Sequence, residues 1–397
     1  MERKLPKNRK NDYSREAIKS RIEKLSGMNG HNFKYLESSV IDPSLAKGNI
    51  ENIIGFSQVP VGIIGPIAIN GDHARGDFFV PLSTTEGALI ASYNRGARAV
   101  SLSGGANVVI YRDQIQRSPS FVLENVFKAI EFIEWFGQHF DEIREVAGAT
   151  TRHGRLESYS TFMQGKIVYL RLNFSTGDAM GMNMVTKASQ EICSYIKNSF
   201  PIKRYLVESN MAVDKKPSMI NSILGRGKSV TCEVFLKEKI ISRYLRTTAK
   251  EIDLAYKQHL TGSLLAGALG SNGHIANGIA AVFIACGQDL ANISESCVGY
   301  IYTEVEGNDL YVSLNLPSLI TGTVGGGVSL PTQRECLEIM DCYGDGKVKK
   351  FTEIVACTLL AGEISLAAAL VAGDFVTAHE KYGRNRPDPL TTGNLKV

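Results

Sequence analysis

Between positions 262 and 296 the chain reads GSLLAGALGSNGHIANGIAAVFIACGQDLANISES, and from 275 to 287 its only polar side chain is Asn277. A helix of that composition is apolar on nearly every face and belongs in the middle of a domain, with other elements around it. It falls short of a membrane span, which needs about 20 apolar residues. Asn277 interrupts the run near one end and Asp289 follows the other. Gly278, Ala280, Ala281, Ala285 and Gly287 let neighbours come close, while His274, Asn277 and Asp289 put polar groups at the two ends. A buried carboxylate at Asp289 is costly unless paired, so a cation from elsewhere in the chain is expected beside it.

The 397 residues exceed one small core and predict two or three substructures, and 44% hydrophobic with 21% charged residues is ordinary for a soluble globular chain. Residues 1–25 hold nine Lys/Arg against four Asp/Glu, so of the net charge of +4 a surplus of five lies there and the remainder sums to minus one. The basic character belongs to an N-terminal arm. A nucleic-acid or anionic-membrane contact would suit such an arm, as would a solvated, frayed terminus, and neither a nucleic-acid nor a membrane partner is inferred. No apolar segment follows the charges as in a secretory signal, so a cytosolic protein is expected. Cys193, Cys232, Cys286, Cys297, Cys336, Cys342 and Cys357 form no C-x-x-C pair, and the histidines show no H-x-x-x-H spacing. Reduced, buried thiols are expected, and no metal.

In chain order, Ile18, Ile22 and Leu25 give residues 14–26 helical spacing before Gly27. Residues 1–50 are read as a small helical region. The β-branched run from 51 to 71 predicts strands and turns. Ser83, Thr84 and Thr85 precede a helix expected over 86–100, with Glu86 in its first turn; the acid either complements the helix dipole or serves a site. From 106 to 208 the pattern is a strand region (107–123), an amphipathic helix with Leu123, Val126, Phe127, Ile130 and Ile133 on one face, two strands (157–163 and 167–174), a helix (179–199) and a last strand (203–207). That is the β-α-β-β-α-β order of a ferredoxin-like unit, inserted into a larger one. The fold class is therefore α+β: a large domain from 51–117 and 209–397 around the buried helix, with an inserted domain over 118–208.

Several motifs stand out. FSTGDAMGMNM at 174–184 makes a tight turn before a helix, able to face an anion or simply to cap. No G-x-G-x-x-G follows a strand, and GRGKS at 225–229 fails as a P-loop because Ser222 stands where its first glycine would be. Lys215 and Lys216 sit beside Asp214 and before Pro217, either as solvated surface or as part of a site. GTVGGG at 322–327 is a flexible turn, an apolar helix is expected over 351–372 with Glu363 inside it, and His379 lies near the end of the chain.

Taken together, TTEG at 84–87, DAMGMN at 178–183, DKKP at 214–217, GQD at 287–289, GTVGGG at 322–327 and the late histidine resemble, in that order, the catalytic portion of the 3-hydroxy-3-methylglutaryl-CoA reductase family. DAMGMN and the short tail after His379 resemble its class I, the form of eukaryotes and archaea; without the membrane-spanning region of the eukaryotic members, a soluble prokaryotic version is expected. The resemblance implies reduction of the CoA thioester to mevalonate and free CoA with two NADPH, in isoprenoid biosynthesis. It makes Glu86, Lys215, Asp289 and His379 catalytic. Lys215 would stabilise oxyanions with Asp289 as its partner, Glu86 would donate a proton, and His379 would protonate the departing CoA thiolate, whose pKa of about 8.5 exceeds the imidazole's of about 6.5. Substrate contacts carried over are Arg95, Arg117, Asn210, Lys216, His274 and Asn277. Cofactor contacts are Thr151, Arg152, Asp178, Met180, Gly181, Met182, Asn183, Gly325 and Gly326. The family implies a homodimer or homotetramer with sites between subunits. Gln258 departs from a usual lysine, with Lys257 beside it; Glu208 replaces a small polar residue, Gly383 an asparagine, and Asn385 a serine phosphorylated in animal members. The competing functions are an NADH-linked, class II-like enzyme of mevalonate catabolism and a catalytically silent CoA-binding homologue.

Overall fold

The computed structural model describes residues 5–151 and 153–373. Its first helix, Arg15–Asn29, begins where the Ser14 hydroxyl accepts the Ala17 N–H, and it runs through Gly27 to a cap at Gly30. The end lies beyond the expected one because Gly30, at φ 69°, supplies the left-handed turn that closes a helix. Ile18 and Ile22 from this helix meet Ala46 and Ile53 in a small cluster of their own.

Among the described residues ten strands follow: β1 Val61–Gly71, β2 Arg75–Ser83, β3 Ala106–Arg117, β4 Ser120–Val122, β5 Arg155–Gln164, β6 Ile167–Ser175, β7 Arg204–Leu206, β8 Gly227–Leu236, β9 Tyr300–Glu306 and β10 Asp309–Leu319. They form one continuous sheet in the order β7-β4-β6-β3-β8-β10-β9, with β5 on β6 and the β1-β2 pair joined to the start of β3. β3 holds the two halves together. Its residues 107–114 pair with β8, and its last three, Ile115 to Arg117, pair with β6. The strand expected over 107–123 is thus two strands, because Pro119 has no N–H to continue a ladder. Only the second, β4, begins the ferredoxin-like set, whose sheet order is β7-β4-β6-β5. The link from β4 to β5 holds two helices, Val126–Gln138 and Phe140–Gly148.

The first of these helices does not bury the expected face. Ala129, Phe132 and Phe136 point into the core, whereas Val126, Phe127 and Ile130 are exposed. The rings account for the choice: Phe132 lies 5.0 Å from Phe121 and 5.3 Å from Phe200, centroid to centroid, and buried aromatic pairs outweigh the smaller aliphatic stripe.

In the larger core, the apolar stretch forms a helix over Ile275–Ala285, packed on a longer one, Val348–Val371. The longer helix is buried along almost its whole length and is the true centre of the unit. It is long and apolar enough to cross a membrane, yet most of its surface is covered by the protein itself. Glycines set the close approaches: a Cβ on Gly96 would lie 1.8 Å from the Ala361 carbonyl oxygen, and one on Gly278 would lie 2.1 Å from the Tyr93 hydroxyl. All seven cysteines are free, and burial pushes Cys193 and Cys342 up to about 12.

Candidate active site

Two clusters of polar side chains gather most of the predicted catalytic and substrate residues. The first lies at the N-terminus of the helix Ile275–Ala285. Four backbone N–H groups at any helix start lack intrahelical partners. Here Glu363, buried in the middle of Val348–Val371, accepts three of the N–H groups around this start: Gly273 at 2.9 Å, His274 at 2.5 Å and Ile275 at 2.8 Å. Burial raises the Glu363 carboxyl to about 7 in spite of those donors. Tyr93 fixes the same turn by donating to the His274 carbonyl at 2.7 Å, its ring 4.7 Å from the imidazole. Asn277, one turn on, reaches Glu86 at 3.4 Å and lies 3.1 Å from His274 Nδ1. Arg95 donates to the Ser365 hydroxyl and carbonyl at 3.0 and 2.6 Å, on the same long helix two residues past Glu363.

Glu86 does not sit in a helical first turn. The helix begins at Leu89, behind Ala88 at φ 69°, and Ser83 ends β2, so Ser83 and Thr85 do not cap it. Thr84 Oγ1 instead accepts the Glu86 N–H at 3.0 Å in the preceding turn, which leaves the carboxylate exposed.

The second cluster lies past the other end of the same helix. Lys215 Nζ is 2.8 Å from Asp289 Oδ2, the cation sought for that carboxylate. The side chains are 40% and 36% exposed, so Asp289 is not the buried acid the sequence predicts. Gly287, at φ 65°, turns the chain after Cys286, and it is Gln288 that goes inside, exchanging hydrogen bonds with the Gly322 backbone; Asp289 is left at the rim. Lys215 belongs to a loop in which Asn210, Val213 and Lys215 all have positive φ, an unfavoured state for residues with a Cβ. Beside it Arg117, nearly buried, donates to Thr186 at 2.9 Å, to Glu208 at 3.2 Å and to Asp214 at 3.4 Å. Asn210 donates its N–H to Glu208, and the exposed Lys216 donates to the Asp214 carbonyl. Among the described residues no hydrogen bond or ion pair joins Glu86 to Lys215 or Asp289. His379 and Arg152 lie outside the described residues.

The predicted cofactor residues meet where FSTGDAMGMN faces GTVGGG. The Thr323 N–H reaches the Asp178 carbonyl at 2.9 Å, and Gly322 comes so close that a Cβ would lie 3.0 Å from the Met180 nitrogen. Asp178 Oδ2 and Oδ1 accept the N–H groups of Gly346 and Val348 at 2.8 and 3.0 Å. Its carboxylate is thus spent on the start of the long helix. Gly181, at φ 78°, is the cap of the helix Met182–Ser199, with Asn183 exposed in its first turn. Gly325 and Gly326 are exposed, with positive φ and open space on the Cβ side, so their backbone is open to a ligand. Thr151 caps the nearby turn by accepting the Gly154 N–H.

The family model for hydroxymethylglutaryl-coenzyme A reductase matches residues 17–384. The chain belongs to that family. Curated 3-hydroxy-3-methylglutaryl-coenzyme A reductases of Aeropyrum pernix (47% identical, 96% of this chain and 91% of that one) and Methanocaldococcus jannaschii (46% identical, 91% of each) are similar to it along nearly the full length. The fold is similar to that of the class II reductase from Streptococcus pneumoniae in an NADPH-bound, open form, with a TM-score of 0.68 at 19% identity over 91% of this chain and 99% of that one.

Two departures from the usual reductase pattern gain a physical account. Glu208 binds Arg117, the Ser118 N–H and the Asn210 N–H, and so orders the Lys215 loop from within the protein. Lys257, beside the substituted Gln258, pairs with Asp253 one helical turn back at 2.6 Å. Glu363, Tyr93, Arg226 and Glu295 carry much of the site's order and were given no role from sequence.

Proposed function

We propose that this reductase converts 3-hydroxy-3-methylglutaryl-CoA to mevalonate and free CoA at the expense of two NADPH, as a class I-like enzyme of isoprenoid biosynthesis in the cytoplasm. The observation that carries the reading is the 2.8 Å Lys215–Asp289 pair, found at the motif positions of a reductase fold. Each hydride transfer puts negative charge on a substrate oxygen, and Lys215 stabilises it while the Asp289 carboxylate keeps the ammonium charged and aimed. Glu86 donates a proton to the forming alcohol. His379 protonates the leaving thiolate. Arg95, Arg117, Asn210, Lys216, His274 and Asn277 bind the thioester and its carboxylate.

NADPH, when bound, supplies the hydride. The exposed Gly325–Gly326 backbone and the turn through Asp178, Met180, Gly181, Met182 and Asn183 fit a dinucleotide phosphate, with Thr151 and Arg152 at the adenosine end. Residues 118–208 then serve as the cofactor domain, and 51–117 with 209–397 as the substrate domain. Within one chain Glu86 and the Lys215–Asp289 pair belong to separate clusters. This supports a homodimer or homotetramer in which one subunit's Glu86 cluster faces its partner's Lys215.

The test is absorbance at the nicotinamide band with purified protein, NADPH and the thioester. Two NADPH oxidised per thiol released, with mevalonate as product, is the expected result. Thioester binding without any oxidation of NADPH would overturn the reading in favour of a silent homologue.

A further inference from the structure

The GRGKS segment, excluded as a P-loop, places Arg226 at the start of β8 with its guanidinium wholly enclosed. Burying an unpaired guanidinium costs several kcal/mol, so its partners are informative. Nε donates to Glu295 at 3.2 Å, one terminal nitrogen to Asp214 at 2.7 Å, and the other to the Gln116 carbonyl at 3.0 Å. The nitrogen facing Asp214 also lies 3.3 Å from the Met182 sulfur, at the first residue of the helix after DAMG. Asp214 immediately precedes Lys215, and Glu295, the second carboxylate on the guanidinium, is itself 1% exposed. A second enclosed arginine, Arg171 on β6, donates to Asn221 at 3.0 Å, and Asn221 in turn holds the Ala212 and Val213 carbonyls. The three left-handed residues of this loop are in an unfavoured backbone state that persists only where their surroundings over-determine it. These groups are those surroundings.

We propose that Arg226, bridging Asp214 and Glu295, is a positioning residue that fixes the backbone of Lys215 so that its ammonium reaches Asp289, and ties that placement to the Met182 end of the cofactor turn. The proposal rests on reading Lys215 as the oxyanion-stabilising cation, so its test needs one readout that requires no turnover.

That readout is trace acetylation with acetic anhydride, scored by fragment mass spectrometry as the ratio of Lys215 to its exposed neighbour Lys216. In Arg226→Lys and Glu295→Ala the Lys215–Asp289 pair loosens and the ratio rises several-fold, while Glu295→Gln, which keeps an acceptor oxygen for Arg226 Nε, stays near wild type. In the active enzyme kcat falls about 10- to 100-fold for both the thioester and free mevaldehyde, with KM for NADPH within about threefold, as expected for an angstrom-scale misplacement of one catalytic group. An unchanged acetylation ratio in folded Arg226→Lys, or loss confined to KM for NADPH, overturns the proposal. Should Arg226→Lys fail to fold, Glu295→Ala decides by the same two criteria. A wild type that is inactive yet shows the ratio change refutes the functional reading and leaves the positioning intact.

Discussion

Glu363→Ala tests whether one buried carboxylate holds the N-terminal turn of the helix Ile275–Ala285. The side chain is 2% exposed and accepts the N–H groups of Gly273, His274 and Ile275, of which the last two residues are themselves buried. Removing it strands two buried donors at roughly 1–3 kcal/mol each, the exposed Gly273 N–H turning to water. Water entering the vacated space recovers part, so a loss of about 2–4 kcal/mol is expected at about pH 4.5, where the contribution is full. Glu363→Gln keeps the acceptor oxygen, imitates the protonated acid and should cost far less. The pH dependence follows from the raised carboxyl, about 7 against an ordinary 4.5. Between those values the folded protein binds the proton more tightly than the unfolded chain, so this group's contribution is full below about pH 4.5 and lost as pH rises to about 7. A displacement of that size corresponds to about 3 kcal/mol. Urea unfolding at fixed protein concentration, from pH 4.5 to 8, should therefore show the wild type losing that increment relative to Glu363→Gln by pH 7, then running parallel. KM for the thioester should rise in Glu363→Ala, because His274 and Asn277 stand on the released turn. A Glu363→Ala protein within 1 kcal/mol of wild type at pH 4.5, with KM unchanged, would refute the capping argument.

NADPH should be preferred over NADH, and Arg152→Ala should narrow the gap mainly through KM for NADPH; initial rates with both nucleotides check this, and a wild-type preference for NADH would contradict the class I reading. His379→Gln should lose thioester reduction by about 10²–10⁴-fold yet keep much of the reduction of free mevaldehyde, which has no leaving thiolate, whereas Lys215→Ala should lose both. Equal loss of the two activities in folded His379→Gln would remove the division of labour.

Much of this was legible in the sequence because burial costs are legible. The apolar run from 275 required an interior helix, and the acid just beyond it required a cation, which Lys215 supplies. The same logic overreached at Asp289, since composition does not reveal that Gly287 turns the chain and sends Gln288 inward. Glu363 was visible, with Glu353, as one of two acids in an otherwise apolar helix; which donors each would meet was a matter of tertiary packing. Arg226 left no comparable trace, because an arginine among glycine, lysine and serine reads as surface. The start of the helix at Leu89 depended on Ala88 adopting a left-handed backbone, a conformation that alanine does not advertise.

The sharing of β3 between the two halves of the sheet also bears on how the chain reaches its native state. Pairing β3 with β8, Asn107 with Glu233 through Gln114 with Gly227, closes a loop that contains the whole ferredoxin-like unit, and the entropy lost on closure grows with the logarithm of loop length. Once β4 has paired with β7, with Phe121 opposite Tyr205, the effective loop shrinks to the two short connections from Gln114 to Phe121 and from Tyr205 to Gly227, about thirty residues in all. The small unit is thereby a nucleus for the large one: in pulse-labelled refolding the amides of Phe121 and Tyr205 should gain protection before those of Val108 and Cys232, and the reverse order would show that the long loop closes unaided.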